Sequence, residues 1–188
     1  MEITVPYQDR TLESPSLDRV RRLRRHLVRS LRDLRVAKHP DRLIQPYTAE
    51  PEGDVAAVLR AGCAACHGHC CLGGGEHAYL DERTMARVRR DRPDQDARGL
   101  IAAYVRDVAP MSYAGSCLFH GANGCTLDRA LRADLCISYH CDGLTSFLRQ
   151  APAPSDVIIH AVRPGAASVR PGRNNAKVAP GREDETDG

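Results

Sequence analysis

The cysteines carry most of the chemistry that this sequence can perform. Four of the eight cysteines fall within nine residues, in the stretch CAACHGHCC from Cys63 to Cys71. Thiolates are preferred protein ligands of zinc and of iron–sulfur clusters. The candidate metal ligands are therefore Cys63, Cys66, Cys70, Cys71, Cys117, Cys125, Cys136 and Cys141.

The spacing within the first stretch indicates how these ligands are divided between metal sites. Cys63 and Cys66 form a CxxC pair, whose two sulfurs can bind one ion at about 2.3 Å. Cys70 and Cys71 are adjacent, and adjacent side chains on an extended backbone point in opposite directions. We therefore expect one sulfur of this pair to complete the site of the CxxC pair, and the other to face a second site or the core.

The eight thiols leave three metal arrangements open. They would fill two tetrahedral zinc sites, or one four-iron cluster with cysteines to spare, or a cluster and a zinc ion. Thiolate sites are negatively charged, so we expect nearby arginines such as Arg129 and Arg132 to offset that charge. Four histidines beside the cysteines can also replace a thiol, although we expect cysteines to bind first. They are His67, His69, His120 and His140.

Two other interpretations of the cysteines are less favoured. Buried cysteines pack as small apolar side chains, but four in nine residues, among His and Gly, is typical of a metal site. A lone CxxC also marks thioredoxin-like redox sites, but no βαβ pattern surrounds it here.

The composition predicts a small core in a reducing compartment. The 188-residue chain has no tryptophan and only 4% aromatic residues, so its core must come from Leu, Val, Ala and Ile. Such a core often needs a bound metal as a supplement. The start, MEITVPYQDR, lacks the apolar segment of a signal peptide, and no apolar run is long enough to cross a membrane. We therefore predict a cytoplasmic protein with reduced thiols, whereas an oxidising compartment would permit disulfides.

The helix predicted over 17–38 concentrates the positive charge. Nine Arg or Lys against Asp18 and Asp33 give this segment a charge of +7, while the whole chain carries +3. Such a run is usually a solvated helix face. The alternative is a docking helix for an acidic protein, nucleic acid or an anionic membrane surface. Its apolar stripe is predicted from the 3-4 spacing of Leu17, Val20, Leu27, Leu31 and Leu34.

The fold predicted from the remaining patterns is mainly α, small and irregular, with helices around a cysteine-ligated metal centre and little β structure. Three segments are expected: an N-terminal arm and basic helix (1–50), a cysteine-cluster metal-binding domain (51–150), and a linker with a largely disordered tail (151–188). Within them we predict an irregular arm over 1–16, helices over 51–61, 82–91, 96–108 and 142–150, an extended piece at 77–80 and a strand at 157–162. Gly62 is predicted to end the first of these four helices, and the glycines at 73–75 to form a hinge or a close-approach turn.

The cysteine motifs resemble those of a known family. CAACHGHCC is similar to the C-x-x-C-x-x-x-C-C signature of the zinc- or iron-chelating cysteine-cluster proteins of bacteria (YkgJ-like), and GSCLFHGANGCTLDRALRADLCISY is similar to that family's second half. The resemblance covers Cys63 to Tyr139. Ala133 and Ile137 depart from its usual proline and arginine, and Cys141 has no counterpart. The matching positions of the second half are Gly115, Cys117, Phe119, Cys125, Leu127, Arg132, Cys136 and Tyr139.

The resemblance implies a protein that chelates zinc or iron, and we take metal binding as the predicted function. One alternative is a structural zinc module whose basic helix binds a protein or nucleic-acid partner. Another is a cluster-dependent modification enzyme, because a related cysteine cluster occurs in flagellin lysine methylases. No nucleotide-binding glycine motif, P-loop or HExxH motif supports an enzyme, and we predict no catalytic residue.

Overall fold

The computed structural model describes residues 1–37, 43–44, 51–150 and 157–164. In chain order, the elements are strands β1 (Glu2–Pro6) and β2 (Leu12–Glu13), helices α1 (Leu17–Val36) and α2 (Gly53–Cys66), a 3₁₀ helix (His69–Gly74), helices α3 (Glu82–Asp91) and α4 (Ala97–Arg106), strands β3 (Ser112–Tyr113), β4 (His120–Gly121) and β5 (Gly124–Cys125), a second 3₁₀ helix (Arg129–Leu131), helices α5 (Asp134–Ser138) and α6 (Asp142–Gln150), and strand β6 (Ile158–Val162). The described residues are thus mainly helical with short strands, which confirms the predicted class.

Short polar side chains begin three of the helices. Ser16, Asp81 and Asp96 each accept a hydrogen bond from the backbone N–H three residues further on. Each bond satisfies an N–H group that has no partner within its helix. The predicted N-caps of α1 and α3 are confirmed. Helix α4 lies within its predicted range of 96–108, and α6 matches its predicted range of 142–150.

The predicted apolar stripe of α1 is confirmed in part. Leu27 and Leu31 are buried and Leu34 packs against the core, whereas Leu17 is 74% exposed and the buried Leu23 was not predicted. Arg19 is buried on the same side of the helix. The helix ends at Val36, and the end predicted at Lys38 and Pro40 lies outside the described residues.

Strand β1 replaces the predicted irregular arm. It pairs in parallel with β6, with Ile3 opposite Ile159, and its buried residues alternate with exposed ones. The alternation of Ile3 and Val5 was a signal in the sequence, but the partner strand lies near the other end of the described chain. The strand predicted at 157–162 is confirmed as Ile158–Val162, and the predicted disordered tail beyond 164 lies outside the described residues.

The buried side chains form two clusters. The first core joins α1, α3, α4 and the segment around Phe119, and it includes Leu23, Met85, Leu100 and Tyr104. The second core joins β1, α2 and α6, and it includes Ile3, Val5, Leu59, Leu144 and Phe147. Elements of all three predicted segments therefore pack against one another: β1 and β6 both contact α2.

Helix α2 continues through Gly62 to Cys66, so the predicted end at Gly62 was wrong. A β-carbon on Gly62 would lie 2.6 Å from Leu144 Cδ2, so the bare glycine lets α6 pack against α2. The extended piece predicted at 77–80 is also wrong, because Ala78 and Tyr79 have left-handed backbone angles, with φ of 50° and 57°. No helix within the described part of the chain has the length and apolar character needed to cross a membrane.

Candidate metal centre

The eight cysteines come from separate elements that meet in one region. The last turn of α2 carries Cys63 and Cys66, three residues apart and therefore on one helix face. Cys70 and Cys71 lie in the first 3₁₀ helix. The other four lie between β3 and β4 (Cys117), on β5 (Cys125), on α5 (Cys136) and directly before α6 (Cys141). All eight are free thiols.

Four of these side chains form what we call the first thiol group: Cys63, Cys66, Cys70 and Cys141. Loss of solvent raises the pKa of Cys63 to about 11, and the other three thiols of the group add to the increase. Burial also raises the pKa of Cys66, while the backbone N–H groups of His69 and Gly68 donate to its sulfur and oppose that increase. Such N–H donors favour a thiolate over a thiol.

The remaining four form the second thiol group: Cys71, Cys117, Cys125 and Cys136. Burial raises the pKa of Cys117 to about 12, against a hydrogen bond from the backbone N–H of Phe119, and Cys125 and Cys136 add to the increase. The pKa of Cys136 is raised to about 11, first by burial and then by Cys125. Cys71 is within electrostatic reach of both Cys117 and Cys136.

The adjacent pair Cys70–Cys71 joins the two groups. The Cys71 thiol hydrogen-bonds to the Cys70 sulfur, which lowers the pKa of Cys70 and raises that of Cys71. The backbone N–H of Cys117 donates to the Cys71 carbonyl at 3.0 Å, which holds the second group against the 3₁₀ helix. Cys70 also adds to the raised pKa of Cys136 in the second group, so the two groups adjoin at the Cys70–Cys71 pair.

Each thiol group also belongs to a different core. Cys66 is buried in the second core, and Cys141 packs against it. Cys117 is buried in the first core, with Cys71 and Cys125 packed against it. Across the described residues, however, no three side chains of Cys, His, Asp or Glu converge closely enough to hold a metal ion as they stand. The thiols are therefore gathered into two groups without sharing a common point.

Two arginines lie beside the thiols. Arg132, as predicted, opposes the rise in the pKa of Cys136 and donates from Nη2 to the Cys125 carbonyl at 3.3 Å. Arg129 lies on the second 3₁₀ helix. Sequence reasoning missed the second, Arg19, which is buried, donates to the Ser116 carbonyl and opposes the rise in the pKa of Cys117. Its place among eight arginines of α1 gave no signal of this role.

The four histidines have different surroundings. His120 is buried, and Ser116 Oγ lies 2.8 Å from its Nδ1 while the ring also hydrogen-bonds to the backbone of His67. His67 caps the C-terminus of α2 in the left-handed conformation, with its carbonyl accepting from Gln8 Nε2 at 2.9 Å. Nδ1 of His69 is buried without a hydrogen-bond partner in the described residues. His140 is half-buried directly before Cys141.

Two tyrosines border the thiols. Tyr79 donates from its hydroxyl to the Cys70 carbonyl at 3.1 Å, and its pKa is raised by burial and then by Cys136. The pKa of Tyr139 is raised by burial and then by Cys70 and Cys141. The left-handed backbone at Tyr79, which no pattern in the sequence predicts, turns its ring towards the thiols.

No protein-family model matches the chain, and no curated protein or solved structure is significantly similar to it. The resemblance to the cysteine-cluster family therefore stays a prediction that depends on the motifs themselves.

Proposed function

We propose that this protein binds metal through its two thiol groups, with zinc or iron, including an iron–sulfur cluster, as the ion held. The observation that carries the proposal is the gathering of eight free thiols into two sets of four that adjoin at Cys70 and Cys71. Four sulfur ligands are the full set of a structural zinc site and of an iron–sulfur cluster.

The surroundings of the sulfurs fit a thiolate-bound metal. Backbone N–H groups donate to the sulfurs of Cys66, Cys70 and Cys117, as in thiolate sites, where such donors offset negative charge. Arg19 and Arg132 supply further positive charge. A cysteine has one side-chain torsion before its sulfur, so each sulfur can change position by rotation about χ1 alone.

A bound metal would supply cohesion that the small cores lack. Its binding free energy becomes folding free energy when the site exists only in the folded chain. Cys63, Cys70 and Cys136 are exposed, so both groups have a ligand that an ion in solution can reach. Binding would release protons, about four per site if all ligands begin as thiols.

The first test is anaerobic purification followed by elemental analysis and a visible spectrum. We expect either about two zinc ions per colourless chain, or several irons with broad absorption near roughly 400 nm. A folded, metal-free chain whose eight thiols react equally fast with and without a chelator would contradict the proposal.

A matched pair of variants tests the division into two sites. Cys141→Ser removes a ligand of the first thiol group and Cys125→Ser one of the second. For two zinc sites we expect each variant to retain about half of the metal, because the other set of four ligands stays complete. Loss of all metal in both single variants would instead indicate one shared centre. Ser146→Ala, at an exposed position near Cys141, is the control and should retain the full content.

A further inference from the structure

The solvent side of α1 carries positive charge that its surroundings do not neutralise. Of the eight arginines of this helix, Arg19 and Arg22 bind Glu76, while Arg21 and Arg32 pair with Asp18 and Asp33. The other four are exposed, and within the described ranges none has an acidic partner. We call these four the arginine surface: Arg24, Arg25, Arg29 and Arg35.

The arginine surface is held on a firmly packed element. Helix α1 buries Leu23, Leu27 and Leu31 against α3 and α4. From Arg24 to Arg35 the surface extends about 16 Å along the helix axis. Since the 17–38 segment carries +7 and the whole chain +3, the rest of the chain is net negative, so an anionic partner would be steered to this side.

The residue types of the surface distinguish between possible partners. Every basic side chain of α1 other than His26 is arginine, whose planar fork matches a phosphate through two parallel hydrogen bonds. Protein interfaces are usually centred on Trp, Tyr and Arg side chains that fill desolvated pockets. Helix α1 has arginines but no Trp or Tyr, and its exposed apolar residues beyond Arg24 are only Val28 and Val36. The helix also has no aromatic residue on which single-stranded bases could stack.

We propose that the arginine surface of α1 binds the phosphate backbone of double-stranded nucleic acid. The contacts are with phosphates, so binding is independent of base sequence and weakens steeply as salt is added. This inference does not depend on the proposed metal binding, because the arginine of α1 that lies beside Cys117 is the buried Arg19, whereas the four arginines of the surface are exposed.

The test is fluorescence anisotropy of a labelled 20-base-pair duplex of arbitrary sequence, titrated with the full chain at several salt concentrations. The variant R24Q/R25Q/R29Q/R35Q retains good helix formers at exposed positions. We expect it to bind roughly tenfold or more weakly at moderate salt, and the slope of log affinity against log salt to fall by about three to four, near 0.9 per lost phosphate contact. Circular dichroism and metal content should stay at wild-type values.

The control R60Q/R83Q/R98Q/R149Q removes the same charge from exposed positions on other helices, and should leave duplex affinity within about twofold of wild type. Equal losses in both variants would overturn the proposal, because net charge alone would then explain binding. Failure of the wild-type chain to bind the duplex at low salt would also overturn it. Tighter binding to poly-glutamate than to the duplex would assign the surface to an acidic protein instead.

Discussion

A β-carbon on Gly74 would lie 2.9 Å from Cβ of Cys117 and 3.4 Å from its Sγ. The backbone of the first 3₁₀ helix therefore passes directly against a buried thiol of the second group. The sequence predicts either a hinge or a close-approach turn for the glycines at 73–75, and at Gly74 the structure shows the close approach. A side chain there must displace Cys117, which has core residues behind it.

Gly74→Ala should therefore destabilise the protein by about 1–3 kcal/mol, the usual cost of overpacking a well-filled core. Urea unfolding at neutral pH measures the change. The control is Gly121→Ala, because the nearest atom to a β-carbon at that position is at an ordinary 3.5 Å. Equal stability of the two variants would show that Cys117 can move without cost.

For single residues, the sequence predicted which side chains are candidates for the site better than it predicted their contacts. The eight thiols could be named as candidates from their spacing, and Arg132 from its neighbours. Arg19 could not, because its role depends on a fold that brings Ser116, nearly a hundred positions further along the chain, against the first turn of α1. Its long aliphatic stem lets it lie among apolar side chains while the guanidinium reaches a carbonyl.

Among the elements, helix α1 is anchored at its N-terminal end by Glu76. The carboxylate of Glu76 accepts from Arg22 Nη2 at 3.0 Å and from Arg19 Nε at 3.2 Å. These two arginines, Arg22 first, hold the pKa of Glu76 below its usual range. The contact fixes α1 to the segment that follows the first 3₁₀ helix.

This anchor should make stability depend on pH. The folded-state pKa of Glu76 lies below the unfolded value, so its stabilising contribution is present above the ordinary glutamate pKa and is lost as the pH falls through the folded value. Glu76→Gln should therefore lower the free energy of unfolding by about 1 kcal/mol at pH 7, with the difference from wild type shrinking in acid. Urea unfolding at pH 7 and in acid measures the difference between the variant and wild type. For the exposed control Asp94→Asn, the difference from wild type should not change with pH. The same behaviour of Glu76→Gln would exclude an ionic role for Glu76.

Local signals decided which elements could be predicted. The capped and amphipathic helices α3 and α6 were predicted within a residue or so, because Asp81 and the apolar face of α6 define them locally. Helix α2 passes through Gly62 because packing against Leu144 outweighs the weak helix propensity of glycine. Strand β1 was missed because a five-residue strand is defined mainly by its partner, and that partner begins at Ile158.

In the molecule as a whole, members of the two thiol groups pack in different cores. Cys66 and Cys141 pack with the core of β1, α2 and α6, and Cys117 packs with the core of α1, α3 and α4. Damage to one core should therefore expose the thiols of that core first, because proteins open in local units rather than uniformly.

Ile3→Ala should destabilise the second core by about 2–4 kcal/mol. In the metal-free protein, we expect alkylation of Cys66 and Cys141 to accelerate by roughly tenfold or more, with little change at Cys117. Leu100→Ala in the first core is the matched variant and should show the opposite pattern. Quantitative mass spectrometry of alkylated peptides measures both. Equal acceleration at every cysteine would mean that the two cores open as one unit.

The pairing of Glu2 with Ile158 sets an order of events during synthesis. A ribosome releases roughly 5–20 residues per second from the N-terminus onwards, so β1 emerges early but cannot pair until β6 has been made. The elements of the first core, by contrast, are all released by Ala133. The half that contains α2 is therefore the last to close, and for that interval Cys66 and Cys141 are synthesised but not yet shielded. How long a nascent chain displays these thiols is determined by the rate at which the residues after Cys141 are translated.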